Sequence, residues 1–90
     1  MEKDERYVAV RRMIDAEDIT KLEQCFKIVP KTVVATHLKE HQGRFSTRMN
    51  NVTMIEVGEI FNLSRLFEVD AHTIFKLITN QYMEDQKKEK

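Results

Sequence analysis

The sequence predicts an all-α fold, a compact bundle of about five helices, and three observations carry that prediction. Two glycines and one proline in 90 residues are too few for the tight turns that a sandwich or barrel of short strands requires. Apolar residues recur at three- and four-residue steps along much of the chain, the period of a helix with one buried face. With 41% hydrophobic and 33% charged residues, the chain can bury a core, unlike the low-hydrophobicity, high-charge sequences that stay disordered.

A chain of this length suits one core and leaves no room for a second. The expected domain covers residues 1–83, with its core at 18–79, and the charged run at 84–90 reads as a flexible tail. Cys25 has no partner for an internal disulfide and stands in an apolar register with Leu22 and Phe26, so it reads as a small core residue in a reducing, cytoplasmic setting. No apolar run approaches the roughly 20 residues needed to span a bilayer. The opening residues Met1 to Glu5 are charged where an export signal would be apolar.

Taken in order, Tyr7, Val8, Val10, Met13 and Ile14 fit a first helix over Asp4 to Ile14, with a strand over Tyr7 to Arg11 as the alternative. Ile19, Leu22, Cys25, Phe26 and Val29 then mark a second helix, capped by Asp15 or Asp18. Pro30 ends it, because proline has no amide hydrogen and disfavours helical geometry at Val29. Thr32 is the expected cap of a short helix from Val33 to Lys39 or Glu40, whose inner face is Val34, Ala35 and Leu38. After a break around His41 to Gly43, Phe45 and Met49 stand four apart on one side of a further short helix. Asn50 and Asn51 favour a turn, and Thr53 with Glu56 forms a T-x-x-E capping box for a helix running to about Phe67. Asp70 caps the last helix, in which Ala71, Ile74, Phe75, Leu77, Ile78 and Tyr82 make an apolar stripe wider than one face needs, as a dimer contact would require.

The formal charge is zero, but it is unevenly placed. Residues 30–51 hold four basic and one acidic residue, an excess of +3, against −1 before and −2 after. Two short helices joined by a turn, the second presenting small polar and basic side chains, meet the needs of a DNA reader, since the major groove admits one helix. In that arrangement Lys31 and Thr32 grip phosphate. Gln42, Ser46 and Thr47 are candidates for base edges, Arg44 and Arg48 for guanine or phosphate, and Asn50 closes the set.

The stretches FKIVPKTVVATHLKEHQGRFSTRMNN and EIFNLSRLFEVDAHTIFKLI resemble the phage-repressor and Cro-like helix-turn-helix proteins, especially short versions from Bacteroides and relatives. The resemblance covers roughly Ile19 to Ile78 and rests on the Pro-Lys-Thr opening, the leucine seven residues before Phe45, the Asn-Asn turn and the closing valine-aspartate cap. It implies a lambda-repressor-like bundle containing a helix-turn-helix, a double-stranded DNA partner, a role in transcription regulation and a homodimer. The sequence departs from that family in two places. A glycine commonly follows the first helix of the motif, whereas Lys39, Glu40, His41 and Gln42 stand there and Gly43 arrives later. A glutamine often opens that helix, where this chain has Lys31 and Thr32.

Other polar residues have plainer readings. His37 and His41 have a zinc-compatible spacing, but no nearby cysteine or further histidine completes a four-ligand set, so both read as surface residues. His72 reads as exposed. Glu56 has a capping explanation, and Glu59 belongs to no pocket motif. The sequence therefore implies neither enzyme chemistry nor a cofactor. The rival expectation is a protein-interaction module, antitoxin-like or adaptor, that keeps the bundle; the seven acidic residues after Val52 favour it.

Overall fold

Asp4 opens the first helix of the computed structural model, which describes residues 4–88: its carboxylate accepts the Arg6 amide at 2.9 Å. Helix α1 (Glu5–Asp15) buries Tyr7, Val10 and Ile14, so the strand alternative for this stretch is set aside. It ends with Glu17 at φ 62, where the Glu17 and Asp18 amides turn back onto the carbonyls of Ile14 and Met13.

Helix α2 (Leu22–Ile28) starts later than Asp15 or Asp18 would set it. The turn after α1 consumes residues 16–18, and Ile19, whose amide bonds back to the Met13 carbonyl, is buried in the core before α2 begins. Capping falls to others: Gln24 Oε1 accepts the Thr20 and Lys21 amides at 2.7 and 3.1 Å, and Gln81 accepts the Glu23 amide at 2.7 Å from the far end of the chain.

Pro30 caps helix α3 (Lys31–His37), its carbonyl accepting the Val33 and Val34 amides. Thr32 is thus the second residue of the helix and not its cap, because the fixed proline φ of −58° already sets the entry angle. Helix α3 ends at His37, short of the expected Lys39 or Glu40: Lys39, after the cap Leu38, adopts φ 59 while the Lys39 and Glu40 amides bond back to Thr36 and Ala35. This is the position where a left-handed glycine usually sits. Gly43 lies inside the next helix, α4 (Gln42–Asn50), so the expected break moves upstream to residues 38–41. His41 caps α4, its Nδ1 accepting the Arg44 amide at 3.2 Å.

The expected Thr53–Glu56 box does not form. Val52 is buried, and Val52–Met54 makes a single 3-10 turn in which Thr53 Oγ1 donates to Asn51 Oδ1 at 2.7 Å. The helix begins three residues later as α5 (Val57–Phe67), with Glu59 Oε1 accepting the Glu56 amide at 3.1 Å. Asp70 caps α6 as expected, accepting the His72 amide at 2.8 Å. Helix α6 (Ala71–Lys88) continues through most of the segment read as a tail, which contains no helix breaker and places Lys87 and Lys88 at the favourable C-terminal end of the dipole. Residues 89–90 lie outside the described residues.

Six helices and no strand are therefore present among the described residues, one helix more than expected. Phe45, Phe67, Leu22, Met49, Leu63 and Ile74 fill the centre of the core. Helix α3 lies against α4, α5 against α6, α1 across α5 and α2, and the 3-10 turn ties α4 to α6. Two aromatic pairs lock these layers: Phe26 meets the Phe45 ring edge-on at 6.1 Å, and Tyr7 packs on Phe67 at 5.7 Å. Among the described residues no helix is long and apolar enough to cross a membrane.

Candidate functional site

The α3–α4 pair is built outward from its two anchors. Phe45 and Met49 are 0% and 1% exposed, which fixes the rotation of α4 about its own axis. Gln42, Gly43, Arg44, Thr47 and Asn50 are consequently exposed, and Ser46 is half-buried at the flank. Neither α3 nor α4 contains a carboxylate.

Hydrogen bonds hold the two helices in one unit. Lys31 Nζ, at the start of α3, donates to Asn50 Oδ1 at the end of α4, and its ammonium also lies 5.8 Å from the Phe26 ring centre. At the opposite end Gln42 Nε2 donates to Thr36 Oγ1 at 3.1 Å, and that hydroxyl in turn donates to the Thr32 carbonyl at 2.8 Å. Thr47 Oγ1 donates to the Gly43 carbonyl at 2.9 Å, leaving its methyl group as the more available contact. Thr32 and Arg44 are exposed, and no carboxylate pairs with Arg44 among the described residues.

Arg48 departs from the rest of the set. Its Nε donates to both oxygens of Glu59, at 2.9 and 2.8 Å, and its Nη2 donates to Glu40 Oε1 at 2.5 Å. The Glu59 side chain is 8% exposed, so this guanidinium is a clamp between α4, the preceding turn and α5. The hydrogen bond to Glu59 raises the Arg48 pKa above its ordinary value, which keeps the cation charged at any working pH. Glu40 Oε2 is buried with no hydrogen-bond partner among the described residues: two carboxylates share one guanidinium. The one acidic residue of the 30–51 segment is thereby turned to Arg48, and Lys31, Lys39 and Arg44 carry the segment's positive surface.

Sequence reasoning missed Glu59, because eleven residues separate it from Arg48 and no helical spacing links them. It also missed Thr36, which stands one turn beyond Thr32 on the same face, and the His37 imidazole, whose Nδ1 meets the buried Tyr7 hydroxyl. Desolvation raises the Tyr7 pKa, so the hydroxyl keeps its proton, and the His37 tautomer sets which of the two groups donates. His41 is occupied as a helix cap, and His72 bonds Asp70 at 2.9 Å. Among the described residues no group of three or more His, Cys, Asp or Glu side chains is placed to hold a metal ion.

No family model, no curated protein and no solved structure matches this chain.

Proposed function

We propose that the protein is a sequence-specific double-stranded DNA-binding regulator that lays the outer face of α4 in the major groove. The single observation supporting this reading is the partition of α4: Phe45 and Met49 sealed beneath, and Gln42, Arg44, Thr47 and Asn50 exposed on a surface without carboxylates. With its side chains an α-helix is about 10–12 Å across, which fits the major groove, about 12 Å wide, and the nine residues of α4 give it about 13.5 Å of length to lay there.

In this reading Gln42 offers a bidentate amide to adenine, Arg44 reads guanine or holds a phosphate, and the Thr47 methyl meets thymine. Ser46 at the flank and Asn50 beside Lys31 supply donors at the edges, while Lys31 and Thr32 approach the backbone. Arg48 positions α4 and does not itself touch DNA. A twofold copy, reading half-sites about 34 Å apart or a multiple of that, is assigned to the outer face of α6. Phe75, Tyr82 and Met83 are 55%, 41% and 61% exposed there.

Selection of bound sequences from a random duplex pool, followed by a salt titration of the winner, tests the proposal. The expected result is an enriched, partly palindromic motif whose affinity falls steeply with salt, by about 0.9 in log–log slope for each phosphate contacted. A folded sample that binds no duplex at low salt would overturn it. The second reading, a protein-interaction module, would then be favoured by the further apolar side chains left exposed on α5, Val57 at 68% and Phe61 at 51%.

A further inference from the structure

Beside the α3–α4 unit lies a cleft of about 390 Å³ that the DNA reading does not use. Its walls come from three elements: His37 and Leu38 at the end of α3, Lys39 in the turn, and Asn62, Arg65 and Leu66 on α5. Every polar side chain in it can donate a hydrogen bond, and none is acidic. Clefts elsewhere on the surface mix charges, one placing Asp15 and Glu17 beside Lys76, another Asp85 beside Lys88.

The cations of this cleft are also unspent. Among the described residues neither Lys39 nor Arg65 has a carboxylate within ion-pairing distance, and Arg65 is oriented by a 2.5 Å bond to Asn62 Oδ1. The carboxylates nearest to them in sequence are engaged elsewhere: Glu40, beside Lys39, pairs with Arg48, and Glu68, three residues after Arg65, pairs with Arg11 at 3.7 Å. Lys39 leaves the chain from a backbone fixed by the two returning amide bonds of the turn. His37 Nδ1 is engaged with the Tyr7 hydroxyl, so Nε2 is the ring nitrogen left for other partners. Leu38 and Leu66, both half-buried, supply a low-dielectric wall against which an anion's attraction to the two cations is less screened than in open water.

We infer that this cleft binds a phosphate group, held by Arg65 and Lys39 with His37 and Asn62 as flanking donors. Arg65 supplies the planar fork suited to phosphate and Lys39 a point charge. A second cleft lined by Thr32, Val33, Thr36, His37 and Gln42 shares His37 with it and likewise contains no carboxylate, so the two clefts join the start of α4 to Arg65. The phosphate belongs either to the backbone of a duplex seated on α4 or to a free small anion. The inference rests on the DNA reading only for the first source.

The test titrates the full chain with inorganic phosphate, against chloride at matched ionic strength, while backbone amide resonances are followed by NMR. Saturable shifts are expected at His37, Lys39, Asn62 and Arg65 with phosphate alone. Lys39→Gly and Arg65→Gln should each weaken saturation about tenfold while the remaining resonances stay in place, which shows that the fold is intact. Equal responses to phosphate and chloride, or unchanged saturation in both variants, would overturn the inference. Duplex binding by Arg65→Gln separates the sources: a salt slope lower by about one contact assigns the phosphate to the DNA backbone. An unaltered slope, or no duplex binding by the parent, assigns it to a free anion and leaves the phosphate titration standing on its own.

Discussion

Arg48 Nε lies 2.9 and 2.8 Å from the two carboxylate oxygens of Glu59, so the only arginine of α4 besides Arg44 faces inward to α5. This pair divides the two arginines of one helix into a fastener and a reader. Arg48→Met strands the Glu59 carboxylate in a site where it is 8% exposed, and is expected to cost about 2–3 kcal/mol, below the range for fully buried pairs because Arg48 itself is 23% exposed. Chemical denaturation measures it. Glu40→Gln, which removes one of two carboxylates competing for a single guanidinium, should cost less than about 1 kcal/mol. Arg44→Ala should leave stability within about 0.5 kcal/mol of the parent and lower duplex affinity by about 1–3 kcal/mol. Equal stability of Arg48→Met and Arg44→Ala would refute the division.

Lys39 occupies the left-handed turn position that glycine fills without strain. Lys39→Gly is expected to raise stability by about 0.5–1 kcal/mol, the relief of a Cβ clash worth about 1–2 kcal/mol less the extra freedom glycine has when unfolded. For a domain of this size that is an upward shift of about 4 °C in Tm by calorimetry. Lys39→Ala keeps the Cβ and should show no such gain.

Burial pushes the Cys25 thiol from an ordinary 9.0 up to about 12. The native state therefore holds its proton where the unfolded state has lost it, and stability contributed by Cys25 is full below pH 9 and declines as the pH rises from 9 toward 12. A thiol reagent at pH 8 should accordingly label the native protein only at the rate at which it opens, and label it at once in denaturant. Rapid labelling of the folded chain would contradict the burial.

Phe75 stands 55% exposed on α6, at a position that costs the monomer little to change. Phe75→Glu should shift thermal stability by no more than about 0.5 kcal/mol yet abolish self-association in sedimentation equilibrium. A parent chain that remains monomeric at millimolar concentration would remove the dimer from the proposal.

Much of this architecture is written locally. The steps linking Leu22 to Cys25, Phe45 to Met49 and Ile74 to Ile78 identify buried helix faces, because side chains three or four residues apart share a face wherever a helix forms. Asp70 marks a helix start for the same reason: its partner amide is two residues away. The sequence by itself thus determined the helical class, the inward faces and the polar, carboxylate-free character of α4.

Tertiary structure decided what each polar side chain is for. Gln81 caps α2 across 58 residues, Glu59 takes Arg48 across eleven, and Tyr7 reaches His37 across 30. It also chose which carboxylates stay free, and so where the positive charge of the central segment emerges. The physical reason is range: backbone geometry imposes a period on neighbours, whereas a hydrogen bond or ion pair between helices depends on where packing of the core brings their surfaces together, and no spacing along the chain encodes that distance.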